Sequence, residues 1–157
     1  MFEKLKTSLL ANNARFKEIH HPSEGNSEKV AAVRGTEVGQ GAKAMLCRAK
    51  EDENLLVLAV LPGDRKLDFK KLAQAIPCKK ITLAPPEVAT EKTGCVIGAI
   101  PPFSFSSDIR LIVDPDLLAR YEEIAFNAGR LDTSIVLNTQ DYVRIAQPSL
   151  YYICVTE

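Results

Sequence analysis

The sequence predicts an α+β fold: a curved, mixed, mostly antiparallel sheet with helices on its outside. Helical and strand-like segments are interleaved without a regular strand–helix–strand rhythm, which is typical of this class. The segments AFNAG and TSIVLNT predict an antiparallel hairpin across residues 129–132. With 157 residues, of which 46% are hydrophobic, the chain is predicted to form one domain over residues 1–157 with a real core.

The chain begins with a predicted helix, a short strand and a second helix. FEKLKTSLLANN places its apolar side chains on one helical face and stops at its two asparagines. RFKEIHH alternates imperfectly and predicts a short strand. SEKVAAVRG predicts a helix that Ser27 caps and Gly35 ends.

A glycine-rich loop, GTEVGQG, then leads into two predicted strands. The first covers residues 42–49, an apolar run that contains Lys43. The second is the strongest strand signal of the chain, the apolar run in NLLVLAVLPGD. A Pro-Gly-Asp turn closes that run.

The middle of the chain predicts two more helices around a short strand. Asp68 is a good N-cap for the helix DFKKLAQAI. KKITLA predicts a short strand. PPEVATEKTG predicts a helix because it begins with proline and ends with glycine, as helices prefer to.

The last third of the chain predicts mainly strands. IRLIVDP is a strand that must stop at residues 114–115, since the residue before a proline disfavours the helical conformation. We expect one helical turn over residues 115–119 and a strand over residues 122–126. Three segments complete the chain: the strand TSIVLNT, the helix TQDYVRIAQ capped by Thr139, and the strand LYYICV.

The charge balance limits the partners that the chain can attract. Twenty basic and twenty acidic side chains give a formal net charge of zero, so any nucleic-acid contact needs a local patch. The local basic clusters are DRKLDFKK and CKK. No apolar run approaches the roughly 20 residues that span a bilayer, and the N-terminus lacks the apolar core of a secretory signal. We therefore expect a cytoplasmic protein with no membrane partner and no DNA partner.

The cysteines and histidines do not have the spacing of a metal site. The four cysteines have no near neighbours at ligand spacing, and the two histidines, His20 and His21, are adjacent. We expect free thiols in or near the core, and no metal or cofactor. No G-x-S-x-G elbow is present, so a serine-nucleophile site is not indicated. A histidine pair at a strand end is the favoured interpretation, with His21 as a candidate substrate contact.

Lys43 lies just past the glycine-rich loop, near the start of a predicted buried strand. Its stem can cover apolar surface while its amine reaches water. Alternatively, it is a cation at the mouth of a pocket, where it meets a phosphate or a developing oxyanion. The neighbouring glycines match neither phosphate-loop nor dinucleotide-binding spacing, so nucleotide binding is not predicted.

The segment TGCVIGAIPPFSF holds two glycines and two adjacent prolines, which an ordinary strand does not accommodate. Gly98 permits unusual dihedral angles and a close approach of the backbone. Pro101 and Pro102 remove two donors and stiffen the segment. The result is either a bend between strands or a rigid loop shaped to meet a ligand, with the second glycine loop, FNAGRLD, facing it.

Three segments resemble, in order and spacing, the YbaK/ProX-like family of editing domains, which are related to the insertion domain of bacterial prolyl-tRNA synthetases. They are GQGAKAMLC, TGCVIGAIPPFSF and FNAGRLDTSIVLNTQDYVRIAQP. The resemblance covers nearly the whole chain and is closest to the YeaK-like branch. It implies a partial barrel with surrounding helices. It also implies hydrolysis, in trans and without a metal, of the ester that joins a wrong amino acid to the tRNA 3′ adenosine.

The resemblance also implies roles for particular residues. Lys43 matches the family lysine that activity requires, and Gly98 begins the loop whose backbone frames the amino-acid pocket. Lys43 and Gly98 are therefore the candidate catalytic residues, Gly98 through its backbone. Serine is the expected amino acid, followed by threonine or alanine, because a small pocket excludes larger ones. The candidate substrate contacts are Ala99, Ile100, Pro101, Pro102, Phe103, Ser104, Asn127, Gly129 and His21.

The expected partners are the aminoacylated 3′ end of tRNA and, as an additional candidate, an aminoacyl-tRNA synthetase. A different class of function is also compatible with the residues. The chain could be a non-catalytic module of the same fold that binds a small ligand, tRNA or a synthetase. Turnover of mischarged tRNA distinguishes the two.

Overall fold

The strands of the protein form two sheets with helices around them. The computed structural model describes residues 1–156. The helices are α1 (Phe2–Ala11), α2 (Ser27–Arg34), α3 (Phe69–Ala75), α4 (Pro86–Thr93), α5 (Pro115–Arg120) and α6 (Thr139–Ala146), with a 3-10 helix at Val38–Gln40. The strands are β1 (Phe16–His20), β2 (Ala42–Ala49), β3 (Leu56–Pro62), β4 (Ile81–Leu83), β5 (Ile109–Val113), β6 (Glu123–Arg130), β7 (Thr133–Asn138) and β8 (Ser149–Leu150).

The two sheets are mixed in direction but mostly antiparallel. The smaller sheet has the strand order β1-β7-β6 and is antiparallel throughout. The larger sheet has the order β4-β2-β3-β5-β8, in which β3 is antiparallel to β2 and parallel to β5. Four of the six strand pairings are antiparallel, so the predicted α+β class and its mostly antiparallel character are confirmed.

The prediction of one curved sheet is wrong, because the strands divide into two. A parallel bridge between Gly41 and Ala125 connects the sheets where the glycine loop enters β2. β2 pairs with β3 along one edge and with β4 along part of the other edge. β6 pairs only with Gly41, the glycine ahead of β2. The partial barrel implied by the resemblance stays a prediction.

β3 is the most deeply buried strand. All seven of its residues are buried. Alternate side chains face opposite sides of a strand. Leu56, Leu58 and Val60 accordingly contact the apolar cluster shared with the smaller sheet, whereas Val57, Ala59 and Leu61 contact a second cluster around α3. Burial on both faces explains why the sequence of β3 is an unbroken apolar run.

Side chains one residue ahead of the predicted positions cap two of the helices. The Asn26 side chain accepts hydrogen bonds from the Glu28 and Lys29 amides at 3.0 and 3.1 Å, so the predicted cap, Ser27, is wrong by one residue. Asn138 likewise replaces Thr139 as the cap of α6. In both cases two residues that can cap stand side by side, and only the direction of the entering chain decides between them. The predicted Asp68 cap of α3 is confirmed.

The predicted closing strand LYYICV is mostly wrong. Only Ser149–Leu150 pairs with β5, in parallel register. Farther along, the Ile153 and Cys154 amides donate to the buried carboxylate of Asp114 at 2.8 and 3.1 Å. Because these two amides donate to the carboxylate, they do not form the hydrogen bonds of a strand paired with β5, and the chain leaves the sheet.

The predicted hairpin is confirmed, with a longer first strand than expected. β6 extends to Arg130 rather than ending near residue 126, and it pairs with β7 through an irregularity between Asn127 and Arg130. Gly129 lies in this irregularity with φ +82°, a conformation that glycine adopts without strain. The preceding helix covers Pro115–Arg120, one residue more than predicted.

The cysteines of the protein are mostly buried. Cys47, Cys95 and Cys154 are buried, Cys78 is partly buried, and all four are free thiols. Burial raises the pKa of the Cys47 thiol to about 12, so it stays protonated at neutral pH.

Within residues 1–156, no helix combines the length and the apolar content needed to cross a membrane.

The cap of α2 provides a stability test. Asn26→Ala should lower the free energy of unfolding by about 1 kcal/mol, because two amides at the helix N-terminus lose their acceptor. Ser27→Ala is the matched control, since the Ser27 side chain does not cap the helix, and it should leave the stability nearly unchanged. Urea unfolding of both variants measures the difference. An equal or larger loss for Ser27→Ala would contradict the assignment of the cap.

Candidate functional site

A small cavity lies between α2, the start of β2 and the loop after α4. Residues from these three elements line it, together with Asn127 from β6: Ser27, Arg34, Lys43, Gly98 and Ile100. Its volume is about 60 Å³. About 10–15 Å³ of such volume is enough to hold one water molecule, so the cavity is small but takes more than a single water.

The loop over residues 98–102 is fixed by its own carbonyl groups. The Gly98 carbonyl accepts a hydrogen bond from Asn127 Nδ2 at 2.8 Å. The Ala99 carbonyl accepts one from the Gly129 amide, also at 2.8 Å. Both donors belong to β6, so the second glycine loop does face the first.

Tyr142 holds the far end of the same loop. Its hydroxyl donates to the Pro102 carbonyl at 2.6 Å from a fully buried position on α6. The Phe103 ring packs edge-on against Tyr142 and against Phe126, with ring centroids 5.2 and 5.9 Å apart. The loop is therefore rigid from Gly98 to Phe103, as its prolines suggested.

Two amides of this loop are free to meet a ligand. Within residues 1–156, the backbone N–H groups of Gly98 and Ile100 donate to no other group. Both residues line the cavity. Ile100 is buried and Gly98 is partly buried. Backbone amides with little access to water rarely lack a partner, so this pair is suited to bind an oxygen atom of a ligand.

A polar network forms the wall of the cavity beside β6 and β7. The Ser134 hydroxyl lies 2.7 Å from His21 Nε2, and it accepts a hydrogen bond from Arg34 Nε at 2.7 Å. Arg34 Nη2 donates to Asn127 Oδ1 at 3.2 Å. His21 thus reaches the cavity only through Ser134, which sequence reasoning did not identify.

Arg34 is the main residue that the sequence did not reveal. A basic residue in the last turn of a helix, next to a glycine, is normally a solvated side chain that complements the helix dipole. Here the side chain turns inward, and the residue is only 8% exposed. Burial lowers the pKa of the Arg34 guanidinium to about 10, so it remains a cation at neutral pH.

Lys43 is the second residue of β2 and is partly buried. It lies in the cavity wall between Ala42 and Ala44. Because side chains alternate along a strand, its side chain lies on the opposite face of β2 from those alanines, where its amine donates to the Arg65 carbonyl. Burial lowers the pKa of the Lys43 amine below its ordinary value.

The other predicted contacts lie elsewhere on the loop. Pro101, Phe103 and Ser104 line a second cavity of about 170 Å³, which shares only Ile100 with the first. Ala99 and Pro102 are buried, and Gly129 lies against Met1. The structure therefore brings Gly98, Ile100 and Asn127 together around the small cavity, which Lys43 also lines, although the Lys43 amine bonds to the Arg65 carbonyl on the other face of β2. The remaining substrate contacts stay predictions.

Comparisons with known proteins identify the family of this chain. The model of the aminoacyl-tRNA editing domain matches residues 21–145. The chain belongs to the aminoacyl-tRNA editing domain family. The matched range contains all the residues named above as lining the small cavity.

Two relatives illustrate the range of this editing-domain family. The chain is 47% identical over 149 residues to the multifunctional Ser/Thr-tRNA deacylase ProXp-y of Escherichia coli (strain K12), covering 94% of this chain and 89% of the relative. It is 27% identical over 96 residues to the proline–tRNA ligase of Thermosipho melanesiensis, covering 61% of this chain but 16% of the ligase.

A solved structure supports the fold of the editing domain. A crystal structure described as a proposed trans-editing enzyme for prolyl tRNA synthetase superposes with a TM-score of 0.83. The match covers 99% of this chain and 97% of that chain at 20% sequence identity. At this level of identity the likeness concerns the fold alone.

Gly98 allows a test of how tightly the loop is held. Gly98 and Gly94 both have positive φ, +90° and +73°, so alanine at either position costs about 1–3 kcal/mol of backbone strain. Only at Gly98 would the new methyl also meet another residue, Gly25 Cα at 3.1 Å, whereas at Gly94 it would meet nothing within 4 Å. Gly98→Ala should therefore lower the melting temperature more than Gly94→Ala does. Equal losses, measured by thermal unfolding, would show that the contact with Gly25 is unimportant.

Proposed function

We propose that this protein is a trans-acting deacylase that hydrolyses the ester of a mischarged tRNA carrying a small amino acid. The observation that carries the proposal is the 47% identity to a Ser/Thr-tRNA deacylase over 94% of the chain. The small cavity beside a rigid loop, inside the editing domain, supports the same conclusion. The substrate is the 3′ end of the aminoacylated tRNA.

The reaction needs little covalent machinery, because an aminoacyl ester is already activated. The site must orient a water molecule towards the carbonyl carbon and stabilise the oxyanion that forms. The free amides of Gly98 and Ile100 are fixed donors of the kind that this step requires. Fixed donors do not have to reorganise during the reaction, which is why they stabilise charge better than water does.

The size of the cavity favours small amino acids. With a volume of about 60 Å³, the cavity favours the side chain of serine, alanine or threonine over an aromatic ring or a leucine side chain. The loop cannot move aside, because hydrogen bonds hold its Gly98, Ala99 and Pro102 carbonyls. This is selection by size exclusion, as in the second sieve of double-sieve editing.

The hydroxyl of serine or threonine needs a polar partner in the cavity. The sequence offers Asn127 or Ser104 for this contact, but Ser104 lines the second cavity. The Asn127 amide already makes four hydrogen bonds: with the Glu24 and Gly98 carbonyls, and with Arg34 and Ser134. A side-chain amide has no further capacity. Ser27 also lines the cavity, and its hydroxyl has no hydrogen-bond partner within residues 1–156, so we assign the contact to Ser27.

In this proposal Lys43 contacts the ester or phosphate end of the substrate. When tRNA binds, the Lys43 amine gives up its hydrogen bond to the Arg65 carbonyl and bonds to the substrate instead. The basic segment that follows β3 surrounds the same place, since Arg65, Lys66 and Lys71 line a groove there. Asp64, Asp114 and Asp116 line the same groove, so it offers little net positive charge to the tRNA. A synthetase partner would supply the remaining affinity for tRNA.

The substrate class is tested with a panel of aminoacylated tRNAs. We expect seryl-tRNA to lose its amino acid fastest, threonyl- and alanyl-tRNA more slowly, and phenylalanyl-, tyrosyl- and leucyl-tRNA not at all. Initial rates at equal concentrations, above the spontaneous hydrolysis of each ester, give the comparison. Faster removal of alanine than of serine would contradict the Ser27 contact. Binding of seryl-tRNA without turnover would identify a binding module instead of an enzyme.

The role of Lys43 is tested by its removal. Lys43→Ala should reduce the deacylation rate by at least ~100-fold, the range observed when a group that stabilises the transition state is lost. The melting temperature should change little, because the amine contacts only a surface carbonyl. Lys50→Ala, an exposed lysine just after the same strand, is the matched control. A folded Lys43→Ala protein with a rate near that of Lys50→Ala would refute the role.

A further inference from the structure

Arg34 is a buried cation for which the fold provides no counter-ion. Its Nε donates to the Ser134 hydroxyl at 2.7 Å, and its Nη2 donates to Asn127 Oδ1 at 3.2 Å. Both acceptors are neutral, and no carboxylate within residues 1–156 forms an ion pair with Arg34. Burying an unpaired charge is costly, so such a residue is seldom explained by stability.

The guanidinium has unused donors beside the cavity. It carries five N–H bonds, and two of them are engaged with Ser134 and Asn127. Arg34 lines the cavity. Gly41 lies next to Nη1 and has no side chain: a methyl there would lie 3.7 Å from this nitrogen. A methyl at that distance would be in van der Waals contact with Nη1, so glycine at residue 41 leaves this nitrogen without that contact.

We propose that Arg34 is a catalytic residue that donates from the cavity wall to the carbonyl oxygen of the aminoacyl ester and stabilises the oxyanion. This inference rests on the proposed deacylase function. It adds a positively charged donor, Arg34, to the neutral amides of Gly98 and Ile100 at the oxyanion. The charge-assisted hydrogen bonds of an arginine to an oxyanion are stronger than those of neutral donors.

The chemical step balances with water alone. The water oxygen bonds to the carbonyl carbon, and the π electron pair of the carbonyl moves onto its oxygen, which Arg34 holds. When the pair returns, the bond between the carbon and the 3′ oxygen breaks. The proton that the water gives up ends on the 3′ oxygen, so the products are the free amino acid and the 3′ hydroxyl of tRNA.

The position of the charge favours the carbonyl oxygen over other parts of the substrate. The α-amino group of the amino acid is cationic when protonated, so Arg34 repels it. Arg34 is only 8% exposed, which disfavours contact with the strongly hydrated tRNA phosphates. Among the groups of the substrate that reach the cavity, the carbonyl oxygen of the ester is the one that becomes negative during the reaction.

The kinetic test compares Arg34→Met with Arg130→Met. Arg130 is a surface arginine that pairs with Asp132, so its replacement is the matched control. Arg34→Met should lower kcat by about 100–1000-fold, as the loss of an oxyanion donor does. KM should stay nearly constant. The removal of an unpaired buried charge opposes the loss of the hydrogen bonds to Ser134 and Asn127, so the stability should change little.

A binding measurement separates oxyanion stabilisation from a structural role. Two analogues are used: seryl-aminoadenosine, whose amide mimics the ground state, and the corresponding phosphonate, whose tetrahedral anion mimics the transition state. The wild-type protein should bind the phosphonate more tightly than the amide. Arg34→Met should lose this preference, while its affinity for the amide stays unchanged.

Three kinetic or binding results would contradict the catalytic role of Arg34. A kcat within about threefold of the control, a retained preference for the phosphonate, or a higher KM at constant kcat would each refute it. If Arg34→Met does not fold, Arg34→Lys and Gly41→Ala carry the test: the first keeps the charge and loses the planar fork, and the second places a methyl in front of Nη1. Normal kcat in both would also refute it. Absence of turnover in the wild-type protein would refute the deacylase function itself.

Discussion

The side-chain amide of Asn127 is the interaction on which the site depends. It donates to the Glu24 and Gly98 carbonyls at 2.9 and 2.8 Å, and its oxygen accepts from Arg34 and Ser134. One residue of β6 therefore connects the segment before α2, the loop after α4, and β7. At 5% exposure the amide has little access to water, so each partner that moved away would leave a polar group unsatisfied.

This constraint explains why the cavity is both small and polar on one side. The loop cannot retreat, because Asn127, Gly129 and Tyr142 hold its carbonyls, and so its free amides keep their direction. Arg34 is held against the same amide oxygen, which orients the guanidinium within the cavity wall. Binding and charge stabilisation thus come from groups that are already in place before any substrate arrives.

Much of the fold followed from local patterns. The apolar run of β3, the Asp68 cap of α3 and the hairpin of β6 and β7 each depend on neighbouring residues, so the sequence predicted them. The sequence did not predict the division into two sheets or the irregular course of the C-terminal segment. Both depend on distant partners: Ala125 for Gly41, and Asp114 for the amides of residues 153 and 154.

The sequence by itself determined the class of the fold, the rigid proline loop and the resemblance that points to editing. The tertiary structure alone decided which polar groups surround the cavity. Arg34 lies in the last turn of α2, where a basic side chain is normally solvated, and its two hydrogen-bond partners lie 100 and 93 residues away along the chain. Ser104 and Asn127 looked equally available for a substrate hydroxyl, but one lines a different cavity and the other is saturated. The direction of a side chain and its remaining hydrogen-bonding capacity depend on contacts between distant segments, which no local pattern encodes.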